Sequence, residues 1–205
     1  MVVSTARNKY LVDREIEKLR EAQIASDYKV LVEQVNPHFL FNNLSVLKSL
    51  IKYDQKKAID FTQNFTDIYR YVLQCRGKDS VQLSEEITFI KSYIALHKER
   101  IGDGLLIDLI VKPSALQKFV LPLALQILVE NALKHNVASE HQPLHITIEA
   151  DSDSVVVTNN INRKEVSFSS KQGLKNVCIR YKTLTDRPVT IEQNEQQFVV
   201  SLPLI

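Results

Sequence analysis

Apolar positions recur at intervals of three and four through the first half of the chain, and short alternating runs join them in the second half. The charged stretch RNKYLVDREIEKLREAQ places Leu11, Ile16 and Leu19 on one face and has coiled-coil-like composition, so residues 1–30 read as an incoming signalling helix. VNPHFLFNNL then opens a second helix, and a third carries Ala58, Phe61, Phe65, Ile68 and Val72 as a stripe. Two long helices with a short polar break make a hairpin. Its stripes enclose too little core for one chain, which predicts a second copy and a four-helix bundle.

The pattern changes after Gly77-Lys78-Asp79-Ser80. SEEITFIKSYIALHKER predicts a helix with Ser84 as N-cap and Ile87, Phe89, Ile90, Tyr93, Ile94 and Leu96 on a broad buried face. Gly102 to Gly104 predict a turn, IDLIV a strand, and LPLALQILVENALKHN a helix with Pro122 in its first turn. LHITIEA and SVVVTNN predict a hairpin turning at Asp151 to Asp153. A polar loop up to Gln172, a helix in GLKNVCIRYKTL and a closing hairpin of VTIEQ with FVVSLPL complete the chain. Several helices and about five strands, mostly in hairpins, define an α+β class: a mixed sheet with helices on one face.

Polar residues interrupt this pattern at three places. Turning residues 38–52 by about 100° per residue sets His38, Asn42, Ser45, Ser49 and Lys52 on one polar stripe. Phe39, Leu40, Leu44, Val46, Leu47, Leu50 and Ile51 take the opposite side, and Asn43 falls among them, where it needs a buried hydrogen bond. An outward His38 is either an ordinary surface histidine or a base, nucleophile or phosphate acceptor, since imidazole titrates near neutrality. A metal would want a second ligand one turn away, and Asn42 is a poor one.

On the next apolar helix, Glu130, Asn131, Lys134 and His135 open a polar face. Such a face is either solvent-facing or a metal-nucleotide site, in which an amide oxygen beside a carboxylate suits Mg²⁺ and the basic pair neutralises phosphate. In GLKNV, Gly173 stands at a helix start, either as a plain turn or where free N–H groups attract an anion.

Composition removes several classes. Twenty-six basic against 24 acidic residues, with no block of like charge, argue against nucleic acid as a partner. Only four glycines occur and neither GxxxxGK[ST] nor GxGxxG is present, which excludes the P-loop and the dinucleotide fingerprint. Cys75 and Cys178 are too few and too distant for a disulfide framework, as expected of a reducing cytoplasm. No apolar run is long enough to span a bilayer.

The three polar sites, taken in order, resemble the LytS/YehU-type sensor histidine kinases. NPHFLFN (36–42) resembles the family's phosphoacceptor motif and IALHKER (94–100) its YLxIQxxRF segment. LVENALKHN (128–136) is similar to its asparagine box, and GLKNV with Arg180 to its GxGLxNxxxRL. The resemblance covers roughly residues 31–205. It implies a dimerising, histidine-bearing domain at 31–80 and a GHKL-type (Bergerat) ATP-binding α/β sandwich at 81–205. The implied reaction passes the γ-phosphoryl group of ATP to His38 and then to an aspartate of a response regulator, of LytTR type. By position, Asn131 would hold Mg²⁺, Lys134 and His135 would lie near the phosphates, and Gly173, Leu174 and Asn176 would close over the nucleotide. Glu33 and Asn42 lie near enough in sequence to orient His38, Glu130 stands beside Asn131 as a further catalytic candidate, and an upstream membrane sensor is implied.

The chain departs from this pattern in two places. The family's DNGxG aligns with Asn159-Asn160-Ile161, so adenine would meet a neutral acceptor in Asn159 instead of a carboxylate. From Asn160 to Gln172 there is no glycine, and Lys171 takes the place of the first glycine of GxGL, as a candidate phosphate-facing cation. Two functions therefore stand side by side: an ATP-dependent histidine kinase, and a degenerate dimeric module that signals by conformation or partner binding.

Overall fold

The computed structural model describes residues 37–164 and 172–205. The linker helix expected at 1–30, Glu33 and Lys171 lie outside the described residues, as do the side chains of Pro37, His38 and Gln172. The chain forms two compact units that divide between Ser49 and Leu50.

Helix α1, Pro37–Tyr53, begins in the first unit and runs across the division. Phe39, Leu40, Val46 and Leu47 are half-buried along it, while Ser45 and Ser49 are exposed as the wheel predicts. Asn43 is buried, and its Nδ2 donates to the Phe39 carbonyl at 2.7 Å, so the helix itself supplies the partner this amide requires. Leu44 and Ile51, expected on the packed side, are 45% and 64% exposed.

In the second unit, Asp54 caps helix α2, Gln55–Gln74, by accepting from the Lys57 N–H at 3.0 Å. Ala58, Phe61, Ile68 and Tyr71 form its buried stripe, which packs on helix α3, Leu83–Ile101. Every apolar residue predicted for the α3 face is buried, joined there by Leu83, Glu86 and His97. The α3 N-terminus differs from expectation: the helix starts at Leu83, and Ser84 is inside it. The Leu83 and Ser84 N–H groups donate to the Lys118 and Leu116 carbonyls, so backbone does what the Ser84 hydroxyl was expected to do.

Gly102 ends α3 with φ 66°, and a short 3₁₀ turn leads into strand β2, Leu105–Val111. Gly104 sits against the loop at Ser139, where a Cβ would approach the Ser139 Cα to 2.7 Å. The two-residue strands β1, Val81–Gln82, and β3, Phe119–Val120, pair antiparallel and escaped the sequence pattern. Helix α4 follows as Ala124–His135. Pro122 precedes it and is not in its first turn, because Leu123 adopts a left-handed φ of 63°.

Strands β4 (Leu144–Ala150) and β5 (Ser154–Asn160) make the expected hairpin, with Asp151 Oδ1 accepting from the Asp153 and Ser154 N–H groups in the turn. After helix α5, Gln172–Leu184, strands β6 (Thr190–Gln193) and β7 (Gln197–Pro203) close the sheet. The order is β2-β4-β5-β7-β6; β2 and β4 run parallel and the other pairs antiparallel, which gives the mixed sheet. On one face Leu144, Ile146, Ile148, Val155, Val157, Val200 and Leu202 are buried under the helices. The other face is open and mixed, with His145 and Glu149 beside the exposed Leu106 and Ile110. Each fully buried aliphatic side chain contributes about 1.5 to 3 kcal/mol, so this one-sided alternation fixes the register of the sheet.

Candidate functional site

A cleft of about 760 Å³ opens between the C-terminal half of α4, the end of β5 with the segment after it, the start of α5, and the β6 and β7 strands. Helix α4 is buried along Ala124, Leu125, Leu128, Val129 and Ala132, and this packing turns Asn131 and His135 onto the cleft wall. The period of strand β5 buries Asn159 on the helix-covered face, at 4% exposure.

The floor is held by amides. Asn136, 5% exposed, donates through Nδ2 to the Ala132 carbonyl at 2.9 Å and accepts the Asn162 N–H on Oδ1 at 2.8 Å. Val137 N–H donates to the Asn162 carbonyl at 2.7 Å and Lys164 N–H to that of His135 at 3.1 Å. The segment leaving β5 is thereby stitched to the C-terminal end of α4, where unpaired carbonyls need donors. Lys164 Nζ meets the same need at the Leu133 carbonyl, 2.7 Å away, and burial followed by the Arg100 charge lowers its pKa. Asn159 Nδ2 donates to the Asn160 carbonyl at 2.7 Å, which leaves its Oδ1 as the acceptor for a ligand.

The wall has two chemical halves. Arg163, Lys164 and Lys175 bring cationic side chains, His135 an imidazole, and among the described residues no Asp or Glu lines the cleft. Ile161, Leu174, Ile191 and Phe198 supply apolar surface beside Asn159. A flat apolar heterocycle bearing a donor, joined to a polyanion, matches both halves.

Of the residues singled out in the sequence, Asn131, His135, Asn159 and Leu174 come together on this wall. Lys134, Gly173 and Asn176 are exposed and lie off it. Glu130 is near Tyr93 of α3, whose hydroxyl is pushed to a higher pKa first by burial and then by that carboxylate. Asn42 is half-buried on α1. Among the described residues no group of three or more His, Cys, Asp or Glu could hold a metal. Mg²⁺ needs no such cage when it keeps its waters and binds substrate phosphates, so an Asn131 amide oxygen fits that mode of holding it.

Sequence reasoning missed Asn136, Arg163, Lys164, Lys175 and Cys178 as parts of the wall. Asn136 ends the LVENALKHN motif and was visible there. Lys164 and Arg163 lie in a polar loop whose spacing carries no signal, and only the pairing with α4 brings them in.

The fold is an α+β domain with a cleft of mixed cationic and apolar lining, preceded in the chain by helices α1 and α2. The histidine kinase family profile matches residues 26–105. Sensor protein LytS of Staphylococcus haemolyticus is 31% identical over 140 residues, which cover 68% of this chain and 23% of that protein. Sensor histidine kinase BtsS of Escherichia coli is 34% identical over 113 residues, 55% of this chain and 20% of BtsS. The histidine kinase AdeS of Acinetobacter baumannii aligns in structure over 82% of this chain and 96% of that one, at 9% identity and a TM-score of 0.43. The chain belongs to the LytS-type sensor histidine kinases. It spans only about a fifth to a quarter of the length of these curated relatives, and no helix among its described residues is long and apolar enough to cross a membrane.

Proposed function

We propose that the chain is the catalytic portion of a dimeric two-component sensor histidine kinase that transfers the ATP γ-phosphoryl group to His38 and then to an aspartate of a response regulator, of LytTR type. The observation that carries this reading is the cleft wall, which sets cations and an imidazole beside an apolar wall with an amide acceptor. Asn159 Oδ1 accepts from the adenine amino group, and Ile161, Ile191 and Phe198 cover the base. Arg163, Lys164, Lys175 and His135 face the phosphates, with Lys171, next to Gln172 in the sequence, as a further candidate cation. Asn131 would hold Mg²⁺, whose charge would offset that of the phosphates. Gly173, Leu174 and Asn176 belong to the closing start of α5, Lys134 to the basic end of α4. Glu130 supports Asn131 from the neighbouring position.

In the transfer, a neutral imidazole nitrogen of His38 forms the P–N bond as the bond from the γ-phosphorus to the ADP oxygen breaks. The ring's remaining N–H proton is free to leave to solvent. Little covalent help is needed from the protein, so in-line positioning and charge neutralisation carry the catalysis. Asn42, four residues on in the sequence, is the candidate to orient the ring. The domain limits that follow are 1–30 for the signalling helix, 31–80 for dimerisation and the acceptor, and 81–205 for nucleotide binding.

Incubation with γ-labelled ATP and Mg²⁺ should leave acid-labile label on the parent chain and none on His38→Gln. Label that persists in His38→Gln removes His38 as acceptor; ATP bound without any label points to a module that does not turn over.

A further inference from the structure

Helix α4 carries Asn131 and His135, yet its own sequence supplies no N-terminal cap: Leu123 stands in the cap position and has no side-chain bond to offer. The cap comes from α3. Glu86, with 0% exposure, accepts the Leu125 N–H on Oε1 at 3.1 Å and the Leu123 N–H on Oε2 at 3.1 Å. The Tyr71 hydroxyl of α2 donates to the same Oε2 at 2.6 Å. A carboxylate set against a helix N-terminus is favourable, but an apolar capped helix would not need a third element. Here helix α2 reaches the end of the cleft helix through one buried carboxylate.

We infer that Glu86 is a positioning residue of the cleft, tying Tyr71 on α2 to the first turn of α4 so that displacement of α2 is passed to the helix bearing Asn131 and His135. The inference rests, for its effect on ligand, on the reading of the cleft as a nucleotide site. Three donors share two carboxylate oxygens, so the anion satisfies all of them. A protonated Glu86 brings a hydroxyl that needs an acceptor of its own and gives up part of the junction. Burial pushes the Glu86 pKa up to about 7, while the bonds from Tyr71, Leu123 and Leu125 favour the anion. The titratable groups facing it are Tyr71 and Cys75 from α2 and its C-cap and Tyr181 from α5, with Lys78 and Glu85 near Cys75; the first turn of α4 brings no acidic side chain. Burial raises the pKa of Tyr71, Cys75 and Tyr181 alike, so Glu86 is the member of the cluster that titrates near neutrality.

The full chain and its Tyr71→Phe and Glu86→Gln variants are compared by amide hydrogen exchange along α4 and by calorimetric binding of Mg²⁺-ATP between about pH 6 and pH 8. Comparing variants with the parent cancels the titration of ATP itself. Tyr71→Phe should speed exchange in the first turn of α4 and weaken binding by roughly tenfold, the worth of a hydrogen bond to a charged group. It should also move the midpoint of the pH profile upward, since the lost bond favours the anion. Glu86→Gln should flatten that profile, and should it fail to fold, Tyr71→Phe decides alone. A Tyr71→Phe chain with the parent's α4 exchange overturns the inference, as does one with the parent's pH profile. Altered exchange in α4 with no ATP bound by any form upholds the junction and overturns the nucleotide reading instead.

Discussion

Tyr71 Oη lies 2.6 Å from Glu86 Oε2, inside a site from which the Glu86 carboxylate has no contact with solvent. Burial raises the Glu86 pKa from 4.5 to about 7, so the folded chain binds a proton more readily than the unfolded one. The contribution of Glu86 to stability is therefore highest below the unfolded value of 4.5, declines as pH rises to about 7, and is constant above it. In Glu86→Gln this decline should be absent. Urea midpoints recorded across that range check it: a parent-to-variant difference that stays constant with pH would contradict the assignment.

His97, also on α3, should behave with the opposite sign. Burial first, and then the Arg100 guanidinium 3.2 Å from its Nδ1, lower its pKa from 6.5 to about 4. The neutral ring belongs to the fold, so its contribution is complete above 6.5 and is lost as pH falls to about 4. His97→Gln keeps an acceptor for Arg100 but cannot titrate, and its acid limb should be flatter than the parent's. An acid limb that superimposes on the parent's would show that protonation of His97 is not what acid does to the fold.

These two residues also show where the sequence was legible and where it was not. The α3 stripe could be read because Ile87, Ile90, Tyr93 and Ile94 keep helical spacing, and the hairpins could be read because β4 and β5 alternate. Glu86, Ile90, Tyr93 and His97 lie on one line of that helix at steps of four, three and four, so the burial of Glu86 and His97 was implied by position and masked by residue type. The helix starts were misplaced at Ser84 and Pro122 because the N–H groups of Leu83 and Ser84 and of Leu123 and Leu125 are satisfied from distant segments, by the Lys118 and Leu116 carbonyls and by Glu86. A local cap can be read from sequence; a cap delivered across the fold cannot. In the cleft, Asn131 and His135 could be read as a polar face on an apolar helix, and Asn159 and Leu174 came from motif resemblance. Lys175 stands inside the helical GLKNV, whereas Arg163 and Lys164 were invisible to periodicity because loop residues have none.

Two glycines separate steric from conformational cost. At Gly104 an added Cβ meets the Ser139 backbone at 2.7 to 2.8 Å, and neither partner is a flexible side chain that could move aside. At Gly77, with φ 75°, nothing lies within 4 Å of the added carbon, and only the left-handed backbone objects. Gly104→Ala should cost about 1 to 3 kcal/mol and Gly77→Ala about 1 kcal/mol in chemical denaturation. The reverse order would mean that the Gly104 turn and the Ser139 loop part easily.

Asn159 is an amide at the position that the motif resemblance sets against a carboxylate. Because Nδ2 is committed to the Asn160 carbonyl at 2.7 Å, the side chain cannot turn its donor toward the cleft without breaking that bond. On the proposed reading, a base carrying an amino group should be accepted, and one presenting a carbonyl at the same place should meet Oδ1 and be refused. Asn159→Ala removes a neutral hydrogen bond, worth about 0.5 to 1.5 kcal/mol, so ATP binding should weaken roughly 3- to 10-fold. GTP binding should weaken less or improve, and the ratio between the two nucleotides should narrow. Labelling of His38 should fall when ATP is scarce and recover when it saturates, because the change is remote from the transferred phosphoryl group. Equal losses for ATP and GTP would instead assign Asn159 to holding the cleft in shape, with the base chosen elsewhere on the wall.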